Sequence, residues 1–124
     1  MKIRIKGNSI RFRLTQTEVK QLYKKSVVTE RTHFSLDSLF EYTLEAYSGN
    51  EIQGSFKNGR IAVHIPDVLV RNWATTDRVG LSRDIPIAND KRLFILIEKD
   101  FKCLVDRPGE EDMFPHPKEH THQC

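Results

Sequence analysis

Ile3 and Ile5 alternate with Lys2, Arg4 and Lys6, and Ile10, Phe12 and Leu14 alternate with Ser9, Arg11 and Arg13. A period of two marks a strand with one buried face. Gly7-Asn8 between the runs supplies a two-residue turn that tolerates positive φ, so residues 2–14 are expected to form a β-hairpin. Thr15 followed by Glu18 is a capping box. It opens a short helix that carries Val19, Leu22 and Tyr23 on one face and ends near Ser26.

Two further strands are expected over 27–34 and 40–47. The second places Phe40, Tyr42, Leu44 and Ala46 inward and Glu41, Thr43 and Glu45 outward. Ser48-Gly49-Asn50 turns the chain. Strands over 52–56 and 60–65 flank Asn58-Gly59, a strong hairpin signal, with Ile61, Val63 and Ile65 facing the core. Pro66 suits the first turn of a second helix running through Trp73, and Trp73, with Val70 and Leu69, is expected in the core. After a strand at 79–81, residues 93–97 are apolar without a break, the pattern of a strand covered on both faces, which places it at the centre of the sheet. Beyond Val105 no period returns. The expected fold is α+β: a mainly antiparallel sheet with two short helices in one domain over 1–105, then an irregular C-terminal tail over 106–124.

An internal repeat is also visible. Ile10-Arg11-Phe12-Arg13-Leu14 and Ile61-Ala62-Val63-His64-Ile65 each run into a helix. The same register pairs Val19 with Val70, Lys20 with Arg71, Gln21 with Asn72 and Leu22 with Trp73.

Length and composition narrow the class. A chain of 124 residues with 38% hydrophobic and 30% charged side chains is an ordinary globular domain with one core. No stretch approaches the ~20 apolar residues of a bilayer span, so a membrane partner is not expected. The polar N-terminus and two cysteines fit a cytoplasmic protein rather than a disulfide scaffold. The net charge is only +3, so the placement of the basic residues matters more than their number.

That placement gives the first candidate site. A two-residue turn at Gly7-Asn8 sets Arg4 opposite Arg11 and Lys2 opposite Arg13, and like charges directly across an antiparallel pair repel. Neutralisation can come from a neighbouring strand that brings Glu41 and Glu45, from solvent, or from a bound polyanion on Lys2, Arg4, Lys6, Arg11 and Arg13. The stretch from Lys6 to Thr15 resembles the Gly-Asn-Ser turn and following strand of AbrB/MazE-type swapped-hairpin DNA-binding proteins, with Thr15 where that family has a proline. The resemblance implies nucleic-acid binding through the hairpin. Over its whole length the chain resembles small bacterial families of unknown function that share the Lys-Ile-Arg-Ile and Gly-Asn-Ser-Ile-Arg start, a likeness that implies a fold and no activity.

The second candidate is the tail. Cys103, His116, His120, His122 and Cys124 offer more nitrogen and sulfur ligands than the four a structural zinc requires, and the alternative is a solvated histidine-rich terminus. Asp106, Glu110, Glu111 and Asp112 form an acidic run read as solvent-facing. His33 and His64 are lone strand histidines, and no nucleophile elbow, phosphate loop or dinucleotide fingerprint is present. The sequence therefore points to a non-enzymatic binding or structural protein that acts with a protein partner or as a homo-oligomer. A zinc-tied tail would be an elaboration, and a nucleic-acid regulator is the alternative.

Overall fold

The computed structural model describes residues 1–102 and 109–115. The elements run β1 (Lys2–Lys6), β2 (Ser9–Leu14), α1 (Gln16–Lys25), β3 (Val27–Ser35), β4 (Ser38–Tyr47), β5 (Gln53–Lys57), β6 (Arg60–Pro66), α2 (Asp67–Thr75), β7 (Gly80–Ala88) and β8 (Lys91–Lys99). The turns expected at Gly7-Asn8 and Asn58-Gly59 form, with Gly7, Asn58 and Gly59 at positive φ. The capping box also forms. Glu18 N–H donates to the Thr15 hydroxyl, while the Glu18 carboxylate accepts from Thr15 N–H at 2.9 Å. Ser26, in the left-handed region, ends α1.

The strands make two four-stranded sheets, β1-β2-β8-β7 and β3-β4-β6-β5. The fold class is α+β and the pairing mainly antiparallel, as expected, but there are two sheets where one was expected, and each has a parallel pair at its centre. β2 runs parallel to β8 and β4 parallel to β6. Alternation within a strand records which face is buried and carries no information about the direction of its neighbour.

This topology is the internal repeat carried through the whole fold. The β1–β2 register, from Lys2↔Arg13 to Lys6↔Ser9, recurs in β5–β6 from Gln53↔His64 to Lys57↔Arg60. The β3–β4 register, from Val27↔Glu45 to Ser35↔Ser38, recurs in β7–β8 from Gly80↔Glu98 to Ala88↔Lys91, with the irregularity at the same place in both. The chain is thus two ββαββ halves that exchange hairpins, so each sheet contains one hairpin from each half. The main difference in length between the halves lies between helix and second hairpin, where Ser26 alone links α1 to β3 and residues 76–79 link α2 to β7.

Between the sheets lies one core, which includes Phe12, Leu14, Leu44, Val63, Ile95 and Ile97. Both helices pack at the end of the sheets where β2 and β6 finish. There Trp73 is wholly buried and its indole N–H donates to the Val79 carbonyl at 3.0 Å. β8 is an inner strand, as placed, but only one of its faces is covered. Ile95 and Ile97 are buried whereas Phe94 is 39% exposed, so its unbroken apolar run does not reflect a two-sided environment. Thr43, expected to face outward, is buried; its hydroxyl lies 2.8 Å from that of Thr29 and donates to the Val28 carbonyl at 3.0 Å.

Residues 109–115 return along the core. Phe114 forms a parallel bridge with Phe101 and packs on it with ring centroids 5.9 Å apart. Asp112, from the acidic run, accepts from the Thr17 hydroxyl at 2.9 Å, and its carbonyl accepts from Gln16 N–H at 2.8 Å. It therefore sits at the positive end of the α1 dipole while remaining exposed, and hydrogen bonds from Thr17 and Thr15 hold its carboxyl below the ordinary carboxylate value. Glu110 is buried.

Candidate functional site

Opposite the helices the sandwich is open. A groove of about 410 Å³ lies there, lined by Ile5, Ile10, Phe40, Phe56, Leu93 and Ile95, with Gly54, Ile61 and Val63 also in its wall. The volume falls within the range of small-ligand sites. Ile5 and Phe56 on its rim are 55% and 69% exposed. Exposed apolar side chains gathered around a concavity mark interaction surfaces on soluble domains. Neither the groove nor these exposed apolar side chains emerged from the sequence, because strand alternation gives Ile5 and Phe56 the groove-lining face and cannot show that no described element covers them.

The repeat explains why the groove exists. At equivalent positions the first half has Ile3, Phe12 and Tyr42 and the second half has Gly54, Val63 and Ile95. The first set fills its side of the core, with the Phe12 and Tyr42 rings 6.2 Å apart and the Tyr42 hydroxyl donating to the Met1 carbonyl at 3.0 Å. Burial, helped by the charges of Glu30 and Glu18, raises the Tyr42 pKa above its ordinary value. The second set is smaller at each position and forms part of the groove wall. A Cβ on Gly54 would stand 2.9 Å from Ile95 Cδ1, and Gly54 is not among the positive-φ glycines. Its backbone does not require glycine, and its missing side chain hollows the site.

The basic hairpin face forms as expected, with Arg4↔Arg11 and Lys2↔Arg13 in register. Its neutralising partners are different. Glu98 pairs with Arg13 at 2.9 Å and with Arg11 at 3.5 Å, and Asp100 pairs with Lys2 at 3.1 Å. Glu41 instead pairs with Arg31 and Arg60, and Glu45 approaches His64 at 4.0 Å. The reason is topological, because the sheet neighbour of the hairpin is β8 and not β4. Arg4 and Lys6 have no carboxylate partner among the described residues, and Lys2, Ile3, Arg4, Arg11 and Arg13 line a second depression of about 320 Å³.

Cys103, His116, His120, His122 and Cys124, the zinc candidates, lie outside the described residues. Among the described residues no group of three or more His, Cys, Asp or Glu side chains could hold a metal. His33 is exposed. His64 stacks edge-on against Tyr47, and its separation from Glu45 exceeds hydrogen-bond reach.

No described helix is long and apolar enough to cross a membrane. Fold and groove together define a small, internally repeated α+β sandwich domain with one closed and one open end. Residues 1–118 match the model of a family described only as a family of unknown function, DUF7009, and the chain belongs to that family. No curated protein and no solved structure matches it.

Proposed function

We propose that the chain is a non-enzymatic binding domain that receives an apolar group in the groove at its open end. The observation that carries this reading is the groove itself: a concavity whose wall, among the described residues, includes no ionisable side chain, bordered by exposed Ile5 and Phe56. Acid–base and nucleophilic chemistry need positioned titratable groups, and the groups with displaced pKa values, Tyr42, Lys99, Glu111 and Asp112 among them, lie outside the groove. The test is titration of dilute protein with the neutral apolar dye Nile red. Saturable binding that disappears in Gly54→Leu is expected. Equal binding by that variant would remove the groove from the reading.

The basic face supports a second reading, as a nucleic-acid contact, because Arg4 and Lys6 remain without carboxylate partners among the described residues beside Arg11 and Arg13. Gel shifts at two ionic strengths decide it, since affinity should fall by roughly 0.9 log units per log unit of salt for each phosphate neutralised on duplex DNA. Absence of a shift at low salt ends that reading. A zinc-tied tail through Cys103, His116, His120, His122 and Cys124 predicts stoichiometric zinc in purified protein, and elemental analysis that finds none removes it.

A further inference from the structure

We infer that the occupant of the groove is a second copy of this chain, paired antiparallel along β5 so that Phe56 of each copy covers Gly54 of the other. This rests on the reading of the groove as a docking surface and names what docks.

Among the described residues the sheet edges without a neighbouring strand are β1, β7, β3 and β5. Proteins protect free edges with charge, proline or bulges. β1 carries Lys2, Arg4 and Lys6; β7 carries Pro86 and an irregularity at Pro86/Ala88; β3 carries one at His33/Ser35. β5, Gln53-Gly54-Ser55-Phe56-Lys57, has no proline and no bulge, its only charge is at its last position, and all five residues are exposed. It is the edge most open to another strand.

Its sequence is also complementary to itself. An antiparallel pairing centred on Ser55 sets Gly54 opposite Phe56 of the second copy, both on the face that lines the groove, and sets Gln53 opposite Lys57 on the other face. A cross-strand aromatic packed over a strand glycine stabilises that glycine, and here the ring would enter the hollow left where the first half has Ile3. Lys57 then lies diagonally across from Glu51 of the second copy, within reach of a long side chain. Glu51 pairs with Arg83 of its own chain at 3.0 Å but is 64% exposed, so Lys57 can join that pair and the charges complement each other across the two-fold axis. Two five-residue strands and two rings bury an area at the low end for specific interfaces, below about 1,200 Å². The dimer should therefore be reversible on dilution.

Sedimentation equilibrium of the full chain tests this. The expected result is a dimer at high protein concentration that returns to the 14.5 kDa monomer mass on dilution. Phe56→Asp, at an exposed position that folding tolerates, should be monomeric throughout. Ser55→Cys, placed across from itself at the axis, should oxidise to a covalent dimer well beyond the wild-type chain treated in parallel, and Nile red bound by dilute protein should be released as concentration rises. A wild-type chain that is monomeric at every concentration overturns the inference, as does a dimer that survives Phe56→Asp with no added Ser55→Cys cross-link. If the monomer still binds Nile red in a manner abolished by Gly54→Leu, the groove stands as a docking surface for another occupant. If it binds none, the groove reading falls with the dimer.

Discussion

The two halves of the molecule share backbone and register and differ in where they put volume. At the open end the first half has Ile3, Phe12 and Tyr42 against Gly54, Val63 and Ile95 in the second. At the helix end the order reverses, with Leu22 against Trp73. A repeat fixes hydrogen-bond topology, because ladder pairing depends on the backbone, while side-chain volume at each paired position stays free to diverge. One end has thereby been closed and the other hollowed on the same scaffold.

The largest expected effect tests the closed end. Trp73→Ala should destabilise by about 3–5 kcal/mol in urea unfolding. It should cost more than Leu22→Ala, since more buried volume is lost and the indole N–H bond to the Val79 carbonyl goes with it, although that carbonyl keeps the Lys99 N–H. Equal losses would mean that the second helix is not the more heavily invested one. Next, Phe12→Ala hollows the first half and should cost about 3–5 kcal/mol. The reverse change, Val63→Phe, should cost under about 1 kcal/mol, below the ~1–3 kcal/mol usual for overpacking, because the groove accepts the ring. A full overpacking penalty would show that the hollow is closed to side chains.

Gly54→Ala is expected to stabilise by about 0.5–1 kcal/mol, since glycine inside a strand costs that much relative to alanine. The displaced Ile95 Cδ1 is the free end of a flexible side chain. A loss of stability would show that Gly54 is required by the fold. The smallest effect concerns Lys99, whose equivalent in the first half is Ala46. Burial lowers the Lys99 pKa below its ordinary 10.5, Asp77 opposing, while its ammonium donates to the Thr76 carbonyl at 2.7 Å. Between the lowered folded value and 10.5 the unfolded chain binds more proton, so stability should rise with pH through that window. Lys99→Met should flatten this rise in denaturation midpoints, and an unchanged slope would assign the pH dependence to other groups.

Much of the fold was legible. Alternation placed both short hairpins and the inward sets on β2, β4 and β6, the capping box located α1, and the match of Ile10–Leu14 to Ile61–Ile65 pointed to the repeat. The exchange of hairpins was not legible, because nothing in the pattern of β2 says that its inner neighbour is β8. For the same reason Glu98, the carboxylate that meets Arg11 and Arg13, was not among the neutralising partners the sequence suggested, where a neighbouring strand offered only Glu41 and Glu45. The strand expected at 79–81 extends to Ala88 as β7, because pairing with β8 holds residues whose own pattern, broken by Asp84 and Pro86, is weak. The groove was hidden because it results from what Gly54 lacks.

The exchanged hairpins also bear on how the chain is made. β2 acquires its inner neighbour only when β8, Lys91–Lys99, has left the ribosome. At about 5–20 residues per second, the stretch from β3 through β8 takes several seconds to synthesise. Throughout that interval β2 presents an unpaired edge beside Phe12 and Leu14, and the first half cannot complete a sheet from its own strands. The nascent chain is therefore a template for wrong pairing, including with the equivalent hairpin of a neighbouring nascent chain on the same message, until its last strand arrives.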